Sequence, residues 1–180
     1  MKDGFLDISK LNKLTPDKGR ILISEPFMTD EHFKRSVVYL CDHNEDGSFG
    51  FVMNNFLDIS LSELVEDIVN EEFKVSFGGP VSPDNLFYVH TLKNELNGSY
   101  EVIPGLYTGG KFEDLIPLIN TGVITPKQIR FFLGYSGWEA GQLDTELSVN
   151  SWIVGKTYVN RVLNTQDKDL WKKILDEMGG

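Results

Sequence analysis

The chain has 180 residues, 17 basic and 27 acidic, for a formal charge of −10 at pH 7. That length makes one domain whose core needs no metal or disulfide staple, and 41% hydrophobic with 24% charged residues is a globular composition. The acidic balance speaks against holding nucleic acid by phosphate neutralisation, and a single cysteine, Cys41, excludes an intramolecular disulfide. No apolar run has the length of a signal peptide or of a membrane span, so the expected location is the cytoplasm, away from membranes. Residues 1–18 read as a polar N-terminal segment and 19–180 as one domain without repeats or linkers.

In chain order, Arg20–Ser24 is a short apolar burst, a buried strand closed by Pro26. Residues 36–43 and 49–53 predict an antiparallel hairpin around Asp46-Gly47, with a loop somewhat longer than two residues. Asn55–Asp58 then reads as a strand-to-helix connection. Leu61, Leu64, Val65 and Ile68 have helical spacing, with Ser60 and Glu63 placed as a capping box. Gly78-Gly79-Pro80-Val81 is a sharp turn, followed by strands at Leu86–His90, Glu101–Ile103 and Leu106–Thr108. Residues 112–119 have helical spacing that Pro117 should shorten or kink. Thr125-Pro126-Lys127-Gln128 resembles a helix start. Strands at 130–135 and 151–154, a short helical segment carrying Leu143 and Leu147, and an amphipathic helix around Leu170–Leu175 complete the chain. Paired strands with short helices, lacking a regular βαβ rhythm, give an α+β class: a single compact domain with a mixed or antiparallel, curled sheet.

Five constellations bear on chemistry. His43 follows Cys41-Asp42 on a strand, but a metal would need further ligands, and neither CxxC nor HxxxH occurs. Gly134-Tyr135-Ser136-Gly137-Trp138 approaches a serine elbow, with Trp138 where its second glycine belongs; a nucleophilic Ser136 would need His43 or His90 as base. The plainer account is a turn that lets Trp138 fold onto the core. Gly78-Gly79 and Gly109-Gly110 match no phosphate-loop pattern and read as turns. The acids from Glu63 to Glu72 read as a solvated face. Gln142, Asp144 and Glu146, close to Trp138, either brace a tight turn or line a polar cleft, and bracing is the expectation.

Several of these motifs occur together and in order: Gly19–Pro26, Arg35–Tyr39, Gly50–Asn54, Gly78–Val81, His90, Gly134–Trp138 and Gly141-Gln142-Leu143. With them the chain resembles the YqgE/AlgH family of bacterial proteins across about residues 19–175. It departs at Asn54-Asn55-Phe56, where the family usually runs Asn-x-Pro, and at Glu139-Ala140, where it usually has Gly-Pro. The resemblance implies an α+β fold with a small barrel-like sheet and a cytoplasmic protein. Some members bear the label of transcriptional regulator. It carries over neither catalytic residues nor a cofactor, and no metal is expected.

The favoured function is a regulatory or protein-interaction module without catalysis, serving a protein or small-molecule partner. Its expected surface is His43, Asn54, Gly78, Gly79, Pro80, His90, Ser136, Trp138 and Gln142. The alternative is a small-molecule binder or hydrolase-like enzyme in which His43, His90, Ser136 and Gln142 converge in one cleft. Direct DNA regulation ranks third, for want of a basic stripe.

Overall fold

A computed structural model describes residues 8–179; the opening residues 1–7 and the final Gly180 lie outside the described residues. After a short helix α1 (Ile8–Leu11), strand β1 (Ile21–Ser24) is buried along its whole length. That explains its unbroken apolar run: a strand covered on both faces has no polar side to present. It lies antiparallel to both β2 (Val37–Asn44) and β10 (Trp152–Gly155). Strand alternation divides these residues between two cores. Ile21, Ile23, Val37 and Tyr39 face one; Leu22, Val38, Trp152 and Val154 face the other.

The remaining elements are β3 (Gly47–Val52), β4 (Phe56–Ser60), α2 (Leu61–Leu64), β5 (Lys74–Phe77), β6 (Val81–His90), β7 (Tyr100–Ile103), β8 (Leu106–Thr108), α3 (Phe112–Asn120), β9 (Ile129–Glu139), α4 (Gln142–Ser148), α5 (Val159–Leu163) and α6 (Leu170–Gly179). The sheet runs β10-β1-β2-β3-β9-β6-β8-β7. Strand β9 is its hub. On one edge it pairs with β6; on the other its start pairs with β5 in parallel and its end pairs with β3 antiparallel. Helices α5 and α6 cover the first core, α4 the second, and α3 with Leu61 of α2 a third formed on β5, β6 and β9.

The α+β domain with a large, mainly antiparallel sheet is as expected. The barrel-like sheet is not: pairing follows an open path from β10 to β7, because β9 branches to β3 and β5 rather than passing the ladder around a ring. The free edge of β10 is blunted by the N-terminal segment. Asn12 Nδ2 donates to Trp152 O (2.9 Å), and Asn12 Oδ1 accepts from Val154 N (3.0 Å), an amide standing in for a neighbouring strand.

Other expectations are corrected locally. The β2–β3 loop is only Glu45-Asp46, since Asn44 pairs with Gly47. The Ser60–Glu63 capping box forms on both sides, yet α2 ends at Leu64 because Val65 is extended. Residues 56–60 are a strand, not a connection. Helix α3 continues through Pro117 to Asn120. Gln128 Oε1 does accept from Thr125 N (2.9 Å), but the turn leads into β9 rather than a helix. Residues 134–138 form no turn: they lie within β9, which gives way only at Gly134 (φ +72°).

Candidate functional site

The two glycine motifs meet as one piece of architecture. Gly78 N donates to Leu133 O (2.7 Å), and Gly78 O accepts from Val52 N (2.9 Å) and from the Ser136 hydroxyl (3.0 Å). A Cβ on Gly78 would collide with Gly134 O, one on Gly79 with the Tyr135 carbonyl, and one on Gly134 with Gly79 O. Glycine stands here because two backbones touch. Ser136 is fully buried and its hydroxyl is committed to this crossing. Pro80 follows, half-buried, at the entry to β6.

His90 is also fully buried. Leu92 N–H donates to Nδ1 (3.1 Å), which places the proton on Nε2, and Nε2 lies 2.8 Å from the Gly109 carbonyl. The Tyr107 ring stacks on the imidazole at 5.9 Å. Burial pushes the His90 pKa below its usual value, partly opposed by the Gly109 hydrogen bond. The folded protein therefore holds His90 neutral where the unfolded chain, at about 6.5, takes up a proton. The sign follows: His90 adds stability above about pH 6.5 and loses it as pH falls further. Urea unfolding of His90→Asn between pH 5 and 7 should show a shallower acid-side loss than the parent, the difference being at most about 1.4 kcal/mol per pH unit.

Trp138 and Gln142 belong to a third arrangement, centred on Glu146. Its Oε1 accepts from the indoles of Trp138 (3.1 Å) and Trp152 (2.9 Å), and its Oε2 accepts from Gln142 Nε2 (2.9 Å). Gln142 Oε1 in turn accepts from Glu139 N (2.9 Å). Phe33 stacks on Trp138 and meets Trp152 edge-on. For Gln142 and Glu146 this is the bracing expected from the sequence; Asp144 is exposed and takes no part in it. Glu146→Ala strands two largely buried indole N–H groups and should cost about 2 kcal/mol, with Glu146→Gln losing about half as much, read by urea unfolding monitored through tryptophan fluorescence.

Asn54 is a clasp too: Oδ1 accepts from Val37 N (2.9 Å) and Nδ2 donates to Arg35 O (2.8 Å). His43 stands directly across the β2–β3 ladder from Ser48, its Nδ1 2.6 Å from the serine hydroxyl. The four side chains expected to converge do not bond to one another. Ser136 serves Gly78, His90 serves Gly109 and Leu92, His43 meets Ser48, and Gln142 serves Glu139 and Glu146.

What opens to solvent is a groove of about 690 Å³ at the β2–β3 tip and the end of β9. Asp42, Asp46 and Glu139 line it, with the amides of Asn44 and Gln142; neither lysine nor arginine does. Phe49, Val81 and Tyr135 supply apolar surface, Phe49 and Tyr135 meeting edge-to-face at 6.2 Å. Trp138 and Gln142 border this groove, while His43, His90 and Ser136 do not. The sequence reading missed Ser48 and the grouping of the three carboxylates. Asp42 and Asp46 were visible beside the Asp46-Gly47 turn, but nothing local linked them to Glu139, which β9 brings in from more than 90 positions away.

Comparison with known proteins fits this fold. A family profile described as AlgH-like matches residues 21–180. A UPF0301 protein of Bacteroides thetaiotaomicron is 43% identical over 176 residues, covering 96% of this chain and 89% of its own. UPF0301 protein CT0663 of Chlorobaculum tepidum is 38% identical over 162 residues, with 90% and 87% coverage. The solution structure of the AlgH protein from Pseudomonas aeruginosa superposes with a TM-score of 0.76 at 29% identity, covering 91% of this chain and 89% of that one. The crystal structure of protein DIP2367 from Corynebacterium diphtheriae shares the fold, with a TM-score of 0.78 at 20% identity over 94% and 91% of the two chains.

Proposed function

The chain belongs to the AlgH-like family, and from that premise we propose that it is a cytoplasmic regulatory or protein-interaction module that takes a basic, partly apolar segment of a partner protein. The observation that carries the reading is the groove at the β2–β3 tip: three carboxylates and no lysine or arginine around an aromatic and aliphatic surface. Carboxylates at a rim steer cations and set specificity, and apolar surface between them holds a side chain once it arrives. The glycine, serine and buried histidine motifs support the reading indirectly, because their polar groups are occupied in holding the fold. No helix among the described residues is long and apolar enough to cross a membrane. Direct DNA regulation ranks last, since a −10 chain repels the duplex.

The test is titration of the protein with a pentapeptide of one phenylalanine flanked by lysines, followed through Trp138 fluorescence at low salt. Saturable binding should weaken with added salt, and should weaken about tenfold in the Asp42→Asn/Asp46→Asn/Glu139→Gln variant, about 1.4 kcal/mol spread over one half-buried and two exposed charges. Binding that ignores salt and the triple substitution overturns the reading.

A second reading draws on the His43–Ser48 pair, because Ser48 borders the same groove. A hydroxyl 2.6 Å from an imidazole nitrogen has the relation of nucleophile to base: Ser48 Oγ would attack an acyl carbon, its proton passing to His43 Nδ1 and then to the leaving group. A fluorophosphonate probe decides. Labelling that disappears in Ser48→Ala favours the hydrolase reading; an unlabelled protein leaves the pair as a cross-strand hydrogen bond.

A further inference from the structure

A second concave region, separate from the acid-rimmed groove, lies along β4 and β5. Phe56, Asp58, Lys74, Ser76, Thr165 and Lys168 are among the residues lining a cavity of about 610 Å³. Asn54 and Lys168 also line an adjoining cavity of about 380 Å³, together with Arg35, Asp169 and Lys172. The two cavities are neighbours across Asn54 and Lys168 and together make up the trough. Four cations line it against two carboxylates, on a chain whose overall charge is −10.

Beneath the floor of this trough sits Arg130, 1% exposed. Its guanidinium donates to Val162 O (2.8 Å), Asn164 O (3.3 Å), Met53 O and Ser76 Oγ (3.0 Å). All four acceptors are neutral, Nε has no acceptor at all, and no carboxylate pairs with the charge among the described residues. Ser76 and Phe56 join Arg130 to the trough. Ser76 accepts from the guanidinium and lines the floor, and the Phe56 ring lies 5.5 Å from the guanidinium carbon and lines it as well. A buried arginine usually has a carboxylate partner, because an unpaired charge in a low-dielectric interior is costly. Here the field of an uncompensated cation reaches the trough through one layer of side chains, where water screens it weakly.

We propose that this trough is an anion site that binds a small soluble phosphate ester, its phosphate group held between Lys74 and Lys168 over the Ser76 floor. The charge requirement selects phosphate over carboxylate: several cations spread along the trough, with a further charge below, match a dianion better than a monoanion. The volume fits a whole ligand rather than a lone ion, since small-molecule pockets span roughly 300–1,000 Å³. A concave shape of this size also favours a soluble ester over a flat membrane or a duplex, each of which needs a broad basic face.

The experiment is amide chemical-shift titration of the isotope-labelled full chain with inorganic phosphate and with adenosine monophosphate, against acetate and against chloride at matched ionic strength. The expected result is saturable shifts at Phe56, Ser76, Thr165 and Lys168 with both phosphates, absent with acetate and chloride, and at least tenfold weaker affinity in Lys74→Gln/Lys168→Gln. Both substitutions are at exposed positions, so folding is spared. Shifts no larger than those from chloride overturn the proposal. So does an unchanged response in the double variant. A response of these amides only to phosphatidylglycerol vesicles, or only to a DNA duplex, overturns it in favour of a lipid or nucleic-acid surface.

Discussion

Replacing Gly79 by alanine should cost about 3–5 kcal/mol, enough to leave much of the protein unfolded at 37 °C. Two costs add. The backbone at Gly79 has φ +151°, a conformation that L side chains avoid at about 1–2 kcal/mol. The new methyl would also collide with the Tyr135 carbonyl on β9, which is backbone and cannot swing aside. Relieving that collision means parting β9 from the Gly78-Gly79 strand end, breaking the Gly78 N–H bond to Leu133 and the Ser136 bond to Gly78. Gly137 provides the contrast. It lies three residues after Gly134 in the same motif, but a methyl there would first meet the Tyr135 ring at 3.4 Å, an ordinary contact. Gly137→Ala should therefore change stability by no more than about 0.5 kcal/mol. Urea midpoints of the two variants check the pair. Similar losses would mean that the motif is sensitive for a reason other than backbone contact.

Arg130→Met should cost about 3–5 kcal/mol as well, by a different route. Two effects oppose each other. Burial pushes the Arg130 pKa down to about 9, so the charged form is disfavoured in the folded state and its removal brings some relief. Against that, methionine leaves the Met53 and Val162 carbonyls and the Ser76 hydroxyl without their donor. Each stranded buried group costs about 1–3 kcal/mol, and three of them outweigh the relief. Strands β5 and β9, the chain leaving β3 and the end of α5 also lose a side chain that joins them. Arg130→Lys keeps the charge and part of the bonding, and should lose about half as much. A methionine variant as stable as the parent would mean that the arginine is retained for its charge alone, which bears on the anion trough more than on the fold.

The sequence was informative wherever the chain's own periodicity decides the structure. The apolar run at 21–24, the hairpin at 37–52, the capping box at Ser60 and the amphipathic α6 all depend on residues within a few positions of one another. It misled where a distant partner decides. The apolar spacing from Leu61 to Ile68 promised a longer helix, but β5 pairs with β4 and Leu61 N donates to Phe73 O, so only one turn forms. Gly134–Trp138 read as a turn; pairing with β3 on one edge and β6 on the other keeps it in a strand and buries Ser136. Gly78-Gly79 and Gly134 were each legible as special, but not as each other's reason, because that needs the sheet. The candidate groove was legible only at Trp138 and Gln142. Its acidic rim is assembled from the β2–β3 hairpin and the end of β9, which the sequence places far apart.

The glycine, serine and histidine motifs build the fold, and the proposed binding falls to the open groove. The most direct measurement is the affinity for the lysine-flanked peptide, corrected for folded fraction, in Ser136→Ala beside Glu139→Gln. The expected result is a double dissociation: Ser136→Ala lowers the unfolding temperature and leaves affinity unchanged, whereas Glu139→Gln leaves the unfolding temperature unchanged and weakens binding. Affinity that collapses in a fully folded Ser136→Ala protein would contradict the account and return the buried hydroxyl to the working site.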